Sequence, residues 1–441
     1  MIIHIKIFDW IVSGHLNVSW SIYVDSLTAV MLVVVNLISA LVHIYSIGYM
    51  HGDKSYTRYF AYMALFTGSM LGLVLSRNIL QLFIFWELVG VSSYLLIGFW
   101  HERSSAAAAA KKAFIMTRLG DFGFLFSIIY LFNIDSTFLE IPILYQAILD
   151  EQITSRVATI LAVGFLIGGI GKSAQFPLHN WLPDAMEGPT SVSALIHSAT
   201  MVTAGVFLIA RLFPLFQISE IMPLIAVVGC LTSFISATMA LSTTDIKRVL
   251  AYSTISQLGY MFMALGLGAY TAAIFHLFTH AFFKAGLFLS SGSVHHAAGT
   301  FNMKYMGGLK HSMKYTYYSM LICSLSLAGL FPLSGFWSKD EIILSAYLYG
   351  GFLGNICLVV GLIVAFLTAF YMFRAVTLTF LGEFRGGGEK EREDLKKKNL
   401  PVPPTVEHVH LGESPKNMVY PIVLLSFFAI FIGYLVCLLY T

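Results

Sequence analysis

Charge is what this sequence has least of. Asp, Glu, Lys and Arg make up 11% of its 441 residues, against roughly 25% in an ordinary soluble domain. A soluble surface needs roughly 25–35% charge, so a soluble enzyme is excluded. With 57% hydrophobic residues, a disordered chain is excluded as well. Cysteine is also scarce: Cys230, Cys323, Cys357 and Cys437 stand singly, each inside an apolar stretch. The absence of any CxxC pair excludes an iron–sulfur cluster, which needs four thiolates. It also argues against disulfides and structural zinc. No early block pairs a short apolar core with a small-residue cleavage site, so nothing at the start reads as a removable secretory signal.

What is abundant is apolar sequence in long blocks, with Phe alone supplying 36 residues. A bilayer-spanning helix needs about 20 apolar residues. Blocks of that order fall at 25–49, 59–77, 79–100, 109–133, 156–177, 190–213, 219–242, 244–268, 271–296, 314–347, 351–381 and 418–440. They are too long for barrel strands of about ten alternating residues. The fold class expected is an all-α polytopic membrane protein with about twelve spans.

The net charge of +3 says little as a sum, but its distribution is informative. Alternating connections place Lys54, Arg58, Arg103, Lys111, Lys112, Lys247, Arg248, Lys304, Lys310 and Lys314 on one side. The other side has Lys6, Arg77, Arg156 and Arg211. The positive-inside rule assigns the first set to the cytoplasm or matrix. Residues 383–417 fall on that side, with mixed charge from Glu389 to Lys398 and then Pro401, Pro403 and Pro404. They read as a solvated linker before a last helix.

Two motifs are decoys. Gly171-Lys172-Ser173 resembles the end of a phosphate loop, but Leu166 stands where the pattern needs glycine, and the tripeptide ends an apolar helix. His276 and His280 have the i, i+4 spacing of a metal site, yet Leu277 follows His276, so HExxH is absent. Two histidines one turn apart cannot ligate opposite faces of one haem.

The unusual feature is ionisable groups in mid-span. Glu87 is central in 79–100; Arg118 and Asp121 share a face of 109–133; Lys172 lies late in 156–177; His197 lies in 190–213. His276, His280 and Lys284 occupy one face of 271–296, and Lys339 and Asp340 follow Pro332. A charge at mid-bilayer costs roughly 2.5–3.5 kcal/mol on insertion scales. Arg118 with Asp121 reads equally well as a structural pair. Five or more spans with titratable groups are what a proton relay needs, because each site must shift its proton affinity with burial and neighbouring charge.

Pro177 and Pro332 are expected to break two helices beside Lys172 and Lys339, since proline removes a backbone donor and clashes with the preceding turn. Broken helices near the midplane are characteristic of transporter ion sites. The two prolines are 155 residues apart, and a similar offset relates 109–127 to 272–290. Five spans per half imply inverted repeats. The domains expected are 1–58 (N-terminal segment and first span), 59–213 and 214–381 (two five-span repeats), 382–417 (hydrophilic linker) and 418–441 (C-terminal helix).

The strings FWELVGVSSYLLIGF, TRLGDFGF, GKSAQFPLHNWLPDAMEGPTSVSALIHSATMVTAGVFLIAR, TDIKRVLAYSTISQLGYMFMALG, AAIFHLFTHAFFKAGLF and GFWSKDEI closely resemble one family. It is the antiporter-like subunit L family of NADH-quinone oxidoreductase (respiratory complex I), whose mitochondrial member is subunit 5. SIGYMHGDKSYTRYFAY favours it over the paralogous M and N types. The resemblance covers about 20–381 and implies a proton-translocating subunit without a redox centre of its own. By motif, Glu87 matches the family's glutamate, Lys172 and Lys339 its lysines on broken helices, and Arg118 and Asp121 its basic–acidic pair. His197, His276 and His280 match its histidines. The family carries about two further spans before Asp25 and more helices after residue 440, including a lateral helix. A fragment, a split gene product or a shortened form is therefore expected.

The resemblance implies a parent complex using NADH, FMN, iron–sulfur clusters and quinone, with no cofactor in this chain. The partners implied are other membrane-arm subunits, notably the M type, and the lipid bilayer, not nucleic acid. The setting would be a bacterial inner membrane or a mitochondrial inner membrane. Protons are expected to enter from the basic side and rest on Lys172, ion-paired with Glu87. They would then pass His197, His276 and His280 toward Lys339 and leave near Asp340. Two rivals are an Mrp-type sodium/proton antiporter subunit and a passive membrane anchor.

Overall fold

A computed structural model of the chain describes residues 3–13, 16–398 and 409–440. The predicted Pro401, Pro403 and Pro404 and the side chain of Cys437 lie outside the described residues.

The chain opens with an antiparallel hairpin, β1 (Ile3–Ser13) and β2 (Leu16–Val24), whose Ile, Val and aromatic residues suit a pleated strand. The N-terminal segment is thus not helical as an all-α reading expects. Helices α1 (Ser26–Tyr49), α2 (Tyr56–Leu75), α3 (Ile79–Ile97), α4 (Ser104–Ile134), α5 (Ile141–Leu149) and α6 (Ser155–Lys172) follow. Next come α7 (Thr190–Ser198), α8 (Met201–Arg211), α9 (Phe213–Gln217), α10 (Met222–Ser242), α11 (Ile246–Gly266) and α12 (Tyr270–Ala298). The last are α13 (Lys314–Ala328), α14 (Ser334–Tyr349), α15 (Gly351–Phe380), α16 (Gly387–Lys397) and α17 (Lys416–Tyr440). Several starts are written in the sequence as side-chain caps. Asp25 accepts from Thr28 N–H at 2.9 Å, Asn78 from Gln81 N–H at 2.7 Å and Asp245 from Arg248 N–H at 3.0 Å.

Ten spans among the described residues are long and apolar enough to cross a bilayer, against about twelve expected; α7 with α8 counts as one. The difference has two causes. The block 314–347 is two helices of 15 and 16 residues, each too short alone. Helix α11 has 21 residues but carries Lys247, Arg248, Ser253, Thr254, Ser256 and Gln257 among its apolar ones. Large apolar side chains face outward, with Phe352 84% and Phe366 70% exposed, as expected where lipid is the solvent. The chain is a multi-pass helical membrane protein.

The central stretches of the spans Thr190–Arg211 and Tyr270–Ala298 are buried on all sides, so α7, α8 and α12 form the axis of the bundle. The block 190–213 breaks between α7 and α8 at Ala199–Thr200, with no proline at the break to announce it.

The hydrophilic segment is not simply a solvated linker. Its described part forms α16, and Glu391 accepts hydrogen bonds from Thr300 and, at 3.1 Å, from Asn302. Arg385 donates to the carbonyls of Met303, Lys304 and Leu378, and Glu413 accepts from Thr316 Oγ1 at 2.5 Å. Mixed charge supports a solvated loop and a docked one equally well, so composition could not separate them.

Candidate functional site: two buried ionisable clusters

The first cluster lies where α3, α4 and α6 meet. Residues 118 and 121 are one turn apart on α4 and present both side chains to one neighbour. Lys172 is the last residue of α6 and is 1% exposed; its Nζ lies 3.6 Å from Asp121 Oδ2. Asp121 also accepts from Trp86 Nε1 at 2.6 Å, and Arg118 reaches the same carboxylate at 4.0 Å. Glu87 is paired with Arg118. The expected Glu87–Lys172 ion pair is therefore replaced by Asp121–Lys172, with Glu87 one partner further out. Gly90, on the turn after Glu87, makes room for the ammonium: a Cβ there would lie 2.7 Å from Lys172 Nζ.

The second cluster is built on α12. His276 Nδ1 meets Ser338 Oγ at 2.9 Å, and its Nε2 meets Gln257 Oε1 at 3.1 Å. Thr279 closes on the same Ser338 hydroxyl at 2.8 Å. Lys284 Nζ donates to Ser253 Oγ at 2.9 Å, and Tyr371 donates to that hydroxyl at 2.8 Å. Lys339 Nζ donates to the carbonyl of Leu327 at 2.6 Å and lies 5.6 Å from the Tyr260 ring centre. His280 has no protein partner on either ring nitrogen, nor has His197, whose ring packs 4.8 Å from that of Phe288.

Nine of the ten sequence-selected residues are thus in or between these clusters. Asp340 is not: it is exposed on α14, one position round from the buried Lys339, because adjacent helical residues point about 100° apart. The sequence reading missed Trp86, Gly90, Ser253, Gln257, Ser338 and Tyr371. A signal existed for α11, where Ser253, Gln257 and Tyr260 recur at helical spacing as a polar stripe. No group of three or more His, Cys, Asp or Glu among the described residues is placed to hold a metal.

Fold and site together define a class: a polytopic helical bundle with ionisable side chains strung through its interior. Residues 76–368 match the family described as "NADH:quinone oxidoreductase/Mrp antiporter, TM", and residues 10–60 match "NADH-Ubiquinone oxidoreductase (complex I), chain 5 N-terminus". The chain belongs to this family of complex I and Mrp antiporter membrane subunits.

Among its relatives is the chloroplastic NAD(P)H-quinone oxidoreductase subunit 5 of Mesostigma viride, 49% identical over 97% of this chain and 66% of that protein. The NAD(P)H-quinone oxidoreductase chain 5 of a Picosynechococcus species is 47% identical over the same shares of the two chains. The chain thus spans just under two thirds of these curated relatives, at 66%. A chain in the structure of the Mrp complex from a Dietzia species superposes with a TM-score of 0.81 at 29% identity. It covers 96% of this chain and 44% of that one.

Proposed function

We propose that this chain is a proton-translocating membrane subunit of a complex I-type NAD(P)H:quinone oxidoreductase. It performs no redox chemistry itself. NADH, FMN, iron–sulfur clusters and quinone belong to other subunits, and a paralogous M-type subunit is its neighbour in the membrane arm. The setting is an energy-converting membrane, bacterial or mitochondrial, to which the chloroplastic names of its relatives add the plastid.

The observation that carries this reading is the buried Asp121–Lys172 pair, joined at its half-buried edge by Arg118 and Glu87. A lysine at this depth is costly, and its proton affinity depends on a neighbouring carboxylate. A coupling signal that moves Glu87 shifts Arg118, and Arg118 then competes with Lys172 for Asp121. Loss of that counter-charge drives the Lys172 proton toward the axis, where His197, His280, His276, Lys284 and Lys339 stand. Helix ends at Lys172 and Ala328, with helix resuming at Thr190 and Ser334, support two five-helix halves in inverted topology that are broken around Pro177 and Pro332. The boundaries 59–213 and 214–381 follow that reading.

The test is Lys172→Ala in the assembled parent complex in vesicles. Pumping is expected to fall to the leak baseline with assembly intact, and full pumping would overturn the relay. The Mrp-type sodium/proton antiporter remains the second reading, supported by the Dietzia superposition. Sodium-driven pH change in vesicles without NADH or quinone distinguishes the two.

A further inference from the structure

Cysteine is scarce in this chain, yet two of its cysteines meet. Cys230 lies on α10 and Cys357 on α15, and these helices pack side by side. Both helices start at the membrane face opposite the basic connections. At 1.5 Å per residue, Cys230 lies about 12 Å along α10 from Met222, and Cys357 about 9 Å along α15 from Gly351. The two sulfurs therefore share a depth inside the hydrocarbon layer, whose full thickness is about 30 Å.

The packing aims them at each other. Cys357 belongs to the buried stripe of α15, with Gly354, Gly361 and Val364 at intervals of three and four residues. Cys230 is on the buried face of α10. Each thiol is the other's hydrogen-bond partner, and both are free. Their chain neighbours Leu231 and Ile356 are exposed on the outer surface. The pair thus sits directly behind a lipid-facing wall, screened from water but close to whatever dissolves in the bilayer.

We propose that Cys230 and Cys357 form a modification site, a thiol pair that a lipid hydroperoxide closes to a disulfide, tying α10 to α15. One sulfur attacks the terminal peroxide oxygen. The O–O bond breaks, that sulfur becomes a sulfenic acid, and the lipid leaves as an alcohol carrying the thiol proton. The second sulfur attacks the sulfenic sulfur, forms the S–S bond and expels water together with its own proton. Two electrons pass from the thiols to the peroxide.

The tie falls beside the second cluster. One turn on from Cys357, the carbonyl of Gly361 accepts from Tyr260 Oη at 2.5 Å, and the Tyr260 ring lies 6.3 Å from that of His276. Closing the disulfide restrains α15 against α10 and α11 at this point and slows pumping. That consequence rests on the relay reading above, whereas the disulfide itself does not.

The test uses the assembled parent complex in vesicles, treated with linoleic acid hydroperoxide. Free thiols are alkylated after denaturation, and the peptides are read by mass spectrometry. The expected result is joint loss of alkylation at Cys230 and Cys357, with a linked peptide that dithiothreitol abolishes. Pumping by the treated wild type is expected to fall severalfold below that of treated Cys357→Ser, which carries the same lipid damage, and to recover with dithiothreitol. Should Cys357→Ser not assemble, Cys230→Ser serves as the control. Both cysteines remaining alkylatable overturns the site. A linked peptide with pumping unchanged overturns its effect on the relay. Full pumping by Lys172→Ala overturns the relay reading and leaves the disulfide standing.

Discussion

Lys172 faces Asp121, not Glu87, across 3.6 Å of buried space. Removing one partner of a buried pair typically costs about 3–5 kcal/mol, because the other charge is left uncompensated. Asp121→Asn keeps an acceptor for Trp86 and removes only the charge. It is expected to lower the thermal midpoint of the purified complex and to abolish pumping. A variant that pumps normally would show that Lys172 does not depend on this carboxylate.

Gly90→Ala probes the same ammonium from the other side. The added methyl would lie 2.7 Å from Lys172 Nζ, so the lysine must shift. Pumping in vesicles should fall severalfold with complex assembly unchanged on native gels. An unaltered pumping rate would mean that the ammonium has room to move without consequence.

Ser338 ties α14 to His276 on α12 at 2.9 Å. Ser338→Ala is expected to weaken that tie by about 0.5–1.5 kcal/mol, the net worth of a typical hydrogen bond, and to slow pumping. Ser338→Thr, which restores the hydroxyl, should recover most of the rate. Failure of threonine to rescue, with both variants assembled, would point to side-chain volume instead of the hydroxyl.

At the opposite membrane face, Arg211 binds Asp25 at 2.5 and 3.1 Å and Thr28 Oγ1 at 2.6 Å. Burial by itself would raise the Asp25 carboxyl. The hydrogen bonds and charge of Arg211, with the Thr28 N–H, outweigh it and hold the group below the usual carboxylate range. A depressed folded pKa means that the contribution is complete above the ordinary carboxylate range and is lost as pH falls through the lowered value. Thermal melts of the wild type should therefore drop on acidification in that window. Asp25→Asn should melt lower at neutral pH and lack that part of the acid drop.

Glu391 pins α16 to Thr300 and Asn302. Glu391→Ala should release it, so that limited proteolysis from the basic side cuts within 387–398 faster than in wild type. Equal cutting rates would mean that other contacts hold the helix.

Much of the site was legible because lipid makes it so. An ionisable residue inside an apolar block needs no structure to be noticed, and Glu87, Lys172, Lys284 and Lys339 were read that way. Helix limits also came close, with 351–381 found at Gly351–Phe380 and 271–296 at Tyr270–Ala298. The neutral partners were less legible. Ser253 and Gln257 show only as a polar stripe on α11, Ser338 and Tyr371 are ordinary residues in helices, and their meeting across α11, α12, α14 and α15 gives all four their meaning.

By itself, then, the sequence determined the solvent, the class of fold and which side chains are costly to bury, since these depend on composition and on local period. Tertiary structure decided who pairs with whom. It gave Lys172 to Asp121 and Glu87 to Arg118, turned Asp340 outward, and docked the hydrophilic segment. Pairing depends on the rotation and depth of one helix against another, and those are set by packing between residues far apart in the chain.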